Sequence, residues 1–217
     1  MAIEQLPDLR GIARLLVLYG VLQFFLLTFL AAFLYPGGYD YFNYYFSDLG
    51  ATIARNDEVN TVSAALFFIA LATVSITLVP LWLGLPKLFS KSRVESVLSF
   101  LGSTTGLICS PLLLGVAIFP LDIQLEIHFV LVLLQFSLFS FAVLLYSIAL
   151  LLSRRYSLFY GLSGLVVLVA GVILMLDPMG PYAALLQKVV VYSYFLWVGV
   201  IVHYSHRVYK SGCQVTK

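Results

Sequence analysis

The chain has 217 residues, 62% of them hydrophobic and only 10% charged, with a net charge of +2 and a mean hydropathy of +1.03. Soluble domains carry roughly 25% charged residues, so this composition excludes a water-soluble fold, and the solvent for most of the surface is lipid. The length suits one membrane domain, an all-α polytopic bundle, with no second globular unit.

A spanning helix needs about 20 mostly apolar residues. The first such run covers 15–35. It is longer than a signal-peptide h-region of about 7–15 residues and no A-x-A site follows it, so it reads as a retained span. Residues 36–58 then interrupt the apolar pattern as an aromatic loop containing "YDYFNYYFSDLGATIARNDE". Tyr35, Tyr39, Tyr41, Tyr44 and Tyr45 suit the headgroup layer, where rings with a polar tip are favoured. If 39–49 forms a short interfacial helix, Asn43, Ser47 and Gly50 share one face. The alternative is a turn over 47–50, with Asp48 capping it. Asp57 and Glu58 fit the first turn of the second span, where the helix dipole favours acids.

The second span is expected over 59–85 and the third over 97–121. The third contains "GSTTG", and Ser99 and Ser110 continue its small-residue spacing; Gly161, Gly164 and Gly171 do the same in the fifth span, 158–176. Small residues let helices approach closely inside a bundle, while the oligomeric state stays open. Between the third and fourth spans the turn reads "FPLDIQLEIHF". Asp122 suits either an N-cap for the fourth span, 127–152, or a functional role. His128 and Gln135 are spaced i, i+7, which makes a polar stripe running inward.

The uncharged run 189–203 covers only about 22 Å at 1.5 Å per residue, short of a core of about 30 Å. The sixth span is therefore expected to start at Pro181 and end near His206, which places Gln187 and Lys188 two turns inside. An ionisable group at that depth is a functional-site hypothesis, against which stands snorkelling to the headgroups. Asp48, Asp122 and Asp177 are its candidate partners. His203 and His206 read as a helix terminus. Cys109 and Cys213 fall at different depths and no disulfide is expected.

With the N-terminus inside, ten of the twelve Lys and Arg fall on inner segments; only Arg55 and Lys188 fall outside. The positive-inside rule then puts both termini in the cytoplasm of a multi-pass cell-membrane protein. No HExxH, paired CxxC, G-x-S-x-G, P-loop or dinucleotide fingerprint is present. No cofactor, no metal and no nucleic acid is expected.

"NYYFSDLGAT" and "GVAIFPLDIQLEIHF" carry Asn43, Ser47, Asp48, Leu49, Gly50, Gly115, Phe119, Pro120 and His128. In these elements the chain resembles the six-span prokaryotic membrane proteins classed as domain of unknown function 998. More distantly it is similar to eukaryotic six-span proteins linked to lipid remodelling and autophagy. The resemblance implies a prokaryotic plasma membrane and a lipid context; Asp122 and Glu126 lie outside the shared pattern.

Three functional readings follow. In the first, an outward-facing pocket of Asn43, Ser47, Asp48, His128, Asp177, Gln187 and Lys188 binds a lipid headgroup or small amphiphile, with membrane lipids as partners and Lys188 supplying charge for a phosphate. In the second, a lipid hydrolase or transferase uses His128 as general base or metal ligand with Asp48 and Asp122. The third is a purely structural bundle. Binding is preferred to catalysis because no self-sufficient catalytic motif occurs.

Overall fold

A computed structural model describes residues 7–89, 92–153 and 156–214, with side chains placed from 11 to 202. Within them the chain is helical, without strands, and six helices are long and apolar enough to cross a membrane. In lipid every backbone N–H and C=O must be satisfied internally, which an apolar run achieves only as helix. These helices are α1 (Pro7–Phe33), α2 (Thr61–Thr77) continued by the short α3 (Val79–Gly84), α4 (Arg93–Ile118), α5 (Leu125–Leu152), α6 (Leu158–Leu176) and α7 (Ala183–Gln214).

The expected 158–176 span begins and ends with α6, while α4 starts four residues before the expected 97. The second span is not one continuous helix. Pro80 has no N–H for the i−4 bond, so the chain turns at Leu78, restarts with the proline in the first turn of α3 and finishes in a 3-10 turn, Leu85–Leu88. Asp57 and Glu58 do not open α2. The helix starts only at Thr61 behind Asn60; Asp57 sits in the left-handed region at φ 65°, inside a tight bend whose arms pair at Ile53 and Val59. The side chains of His203, His206 and Cys213 lie outside the described residues.

Each helix packs on its chain neighbours and α7 closes back on α1, giving a ring in which α2 meets α4, α4 meets α5, α5 meets α6 and α6 meets α7. Lipid supplies no hydrophobic drive between helices, so close van der Waals fit must hold them together. The glycines provide it within the chain. A Cβ on Gly102 would lie 2.9 Å from the Tyr146 ring, and one on Gly106 would enter the Trp82 indole. Aromatic rings fill the ring's axis: Phe24 lies 4.4 Å from Phe195 and Phe139 stacks on Tyr194 at 4.8 Å. At one end the connections after α3 and α5 meet through Phe89 stacked on Tyr156 at 5.4 Å. At the other end gather the long loop 34–60 and the turns after α4 and α6.

Candidate functional site

The long loop folds onto the bundle because its backbone is tied down at several points. Over 39–50 it is not the interfacial α-helix that would align Asn43, Ser47 and Gly50. It makes turns and then a 3-10 helix, Phe46–Gly50, so Asn43 points away. Asn43 is exposed and donates its side-chain amide to Asp40 Oδ2 at 2.7 Å. The 3-10 turn sits low in the bundle, with Phe46, Ser47, Asp48 and Leu49 all buried. Gly50 permits this seat, since a Cβ there would lie 2.5 Å from the Phe67 ring.

Asp48 anchors the turn. Its Oδ2 accepts the Tyr45 N–H at 2.7 Å, and its carboxylate takes the Arg55 guanidinium two-handed, Nε to Oδ1 and Nη2 to Oδ2, each at 3.1 Å. The carboxylate is 4% exposed and the guanidinium side 49%. Holding Asp48 raises the Arg55 pKa against the opposing effect of its own partial burial. This ion pair ties the loop to itself, and Arg55 is the side chain that sequence reasoning passed over. The signal available was that Arg55 is the other outer-loop base, seven residues after Asp48.

The sixth helix starts at Ala183 and not at the expected Pro181, which puts Lys188 about one and a half turns inside it; Lys188 is buried and does not snorkel. None of its three expected carboxylate partners pairs with it: Asp48 and Asp122 are engaged elsewhere, and Asp177 is exposed at the end of α6. Instead Nζ donates to the carbonyls of Tyr44 and, at 2.7 Å, Ala184, and it lies 5.4 Å from the centre of the Tyr39 ring. Next to it, Gln187 Oε1 accepts the Phe46 N–H at 2.7 Å. Two adjacent α7 side chains thus pin the loop. The tyrosines cluster above them: Tyr39 donates to the Tyr45 carbonyl at 2.8 Å, and burial pushes its phenol pKa up.

Asp122 is not the N-cap of α5, a position that falls to Gln124. Its Oδ2 accepts the Thr52 hydroxyl at 2.6 Å, the Thr52 N–H at 2.9 Å and the Ile53 N–H at 3.0 Å. Partial burial would raise this carboxyl, but the Thr52 and Ile53 donors outweigh it and hold it below its ordinary 3.8. Asp177 is exposed at the end of α6.

Between the loop and α5, α6 and α7 lies a cavity of 430 Å³. Ser47, Asp48, Arg55, Asp122, His128 and Gln187 line its polar end; Leu125, Phe129, Val132, Leu133, Phe136, Leu174 and Met175 line the rest. Asn43, Asp177 and Lys188 are not among the lining residues, so four of the seven expected binding residues converge there, joined by Asp122. Leu125, Phe129 and Leu133, one turn apart on α5, are 59%, 40% and 40% exposed, so the cavity opens sideways. From Leu125 to Phe136 it follows α5 for about 16 Å at 1.5 Å per residue. A smaller cavity of 60 Å³ on the ring's axis shares Ser47, Val132, Phe136 and Gln187 with it.

His128 is the most telling residue of this wall. It is 3% exposed, and its Nδ1 lies 2.7 Å from the Phe119 carbonyl oxygen. A carbonyl can only accept, so Nδ1 carries the proton. Nε2 is buried without a partner among protein atoms. Such a group is costly unless something meets it. No three His, Cys, Asp or Glu side chains gather in metal-binding geometry among the described residues. Comparisons with protein-family models, curated proteins and solved structures find no match.

Proposed function

We propose that this protein binds the polar head of an amphiphile in the cavity beneath the 34–60 loop, with the amphiphile's tail leaving sideways along α5. The observation that carries this reading is His128, whose buried Nε2 has no protein partner, among the residues lining a cavity that is polar at one end, apolar along its length and laterally open. A head needs fixed polar groups and a tail needs continuity with hydrocarbon; both are arranged here along one helix. The volume lies within the range of about 300–1,000 Å³ of small-molecule sites. The ten-to-two distribution of basic residues supports an outward-facing cavity in a plasma membrane, with both termini inside. The resemblance to six-span prokaryotic proteins supports the same setting.

A hydrolase built on His128, Asp48 and Asp122 has less support. Asp48 is committed to Arg55 and Tyr45, and Asp122 to Thr52 and Ile53.

A photo-crosslinking long-chain probe with its diazirine near the head tests the binding reading. Irradiated with the full chain in membranes and mapped by mass spectrometry, it is expected to label 125–136 and 174–179. Leu133→Trp, at the cavity mouth, should suppress that labelling. Labels spread evenly over all lipid-facing helices would sink the proposal.

A further inference from the structure

We infer that the head accepted by this cavity is a hydrogen-bond donor without negative charge, a hydroxyl or an ammonium, and not a phosphate or carboxylate. The inference rests on the amphiphile-binding reading above and narrows its chemistry.

The first argument is the tautomer. With Nδ1–H committed to the Phe119 carbonyl at 2.7 Å, the neutral ring offers only a lone pair at Nε2, the atom that lacks a partner. A lone pair in a buried wall is satisfied by a donor. A phosphate or carboxylate oxygen would set acceptor against acceptor.

The second argument is charge. The cavity is lined by one guanidinium, Arg55, and two carboxylates, Asp48 and Asp122, a formal sum of −1. The guanidinium is already gripped by Asp48 through two of its nitrogens, with Nη2 3.0 Å from Oδ1, so its attraction for an anion is offset at contact distance. Lys188, the remaining cation at this end, is turned onto the carbonyls of Tyr44 and Ala184 and does not line the cavity. An anionic head would therefore meet a guanidinium already paired with Asp48 in a lining whose formal charge sums to −1, the costly case. A hydroxyl escapes that cost, and an ammonium gains from the net charge.

The test uses the full chain in phosphatidylcholine nanodiscs and the crosslinking probe just described. Decanol, decylamine, decanoate and decyl phosphate compete for labelling at matched mole fraction in the bilayer. Decanol and decylamine are expected to compete at least tenfold better than the two anions, and their ratio tells a hydroxyl site from an ammonium site. His128→Phe should weaken decanol competition roughly five- to tenfold, the worth of one hydrogen bond, and leave the anions unchanged. Should that variant not fold, the ¹⁵N resonance of His128 Nε2 in the natural protein decides: decanol shifts it and decyl phosphate does not. Anions competing as well as decanol, or an Nε2 resonance unmoved by decanol, would overturn the head assignment. The binding reading would survive that result if Leu133→Trp still suppressed labelling. Labelling that neither Leu133→Trp nor any competitor reduces would instead defeat the binding reading itself.

Discussion

Removing Arg55 strands a carboxylate that is 4% exposed; removing Asp48 strands a guanidinium whose side chain is 49% exposed and can turn to water. The two partners of one ion pair should therefore not be equally sensitive. Arg55→Ala is expected to cost about 2–3 kcal/mol and Asp48→Asn about 1 kcal/mol, because the amide still accepts the Tyr45 N–H while the bare buried carboxylate keeps its desolvation penalty. Thermal unfolding of the two variants in mild detergent checks the order; a larger loss for Asp48→Asn would contradict it. The polar residues of the cavity were legible in the sequence for a simple reason. In a chain this apolar, Ser47, Asp48, His128 and Gln187 have few places to be but a shared interior. What was not legible is which cation meets which carboxylate. That depends on the path of the loop, and the loop turns through 3-10 geometry where helical spacing had put Asn43 beside Ser47. The outcome exchanged two roles: Arg55 pairs with Asp48, and Lys188 fastens backbone carbonyls.

The helices themselves followed directly from the apolar runs, since in lipid no other backbone conformation satisfies those residues. Their interruptions needed more than hydropathy. The break at Leu78 comes from a single missing N–H at Pro80. The contacts across helices were half visible, as small residues at regular spacing without their partners. Gly106 faces the fully buried Trp82, and a methyl group added to it would fall 2.5 Å from Cε2 and 2.6 Å from Cε3. Both backbones are helical and the indole is enclosed, so neither can yield cheaply. Gly106→Ala is expected to cost about 1–3 kcal/mol, the usual penalty of overpacking. Gly11→Ala, with nothing within 4 Å of the new methyl, should cost nothing. Denaturation midpoints of the two variants in the same detergent make the comparison; equal stability would mean that α4 does not depend on this close approach to Trp82.

At the scale of the whole molecule, the loop and the turns after α4 and α6 gather at one end, and Phe89 and Tyr156 join the connections at the other. Which end faces out decides which leaflet can supply the cavity. Lys87 and Arg93 flank the Phe89 end, whereas Arg55, already neutralised by Asp48, is the base of the 34–60 loop. Translocating the loop end moves the fewer basic residues across the membrane, the asymmetry that sets orientation. Asn43 and Lys87 are exposed at opposite ends, so each can report as a cysteine. With Cys213→Ser as background and buried Cys109 left in place, Asn43→Cys should react with a membrane-impermeant maleimide on intact cells. Lys87→Cys should react only after permeabilisation. The reverse pattern would place the cavity mouth in the inner leaflet and leave the donor-head assignment standing. It would also mean that ten basic residues had been carried outward, against the rule that orients the chain.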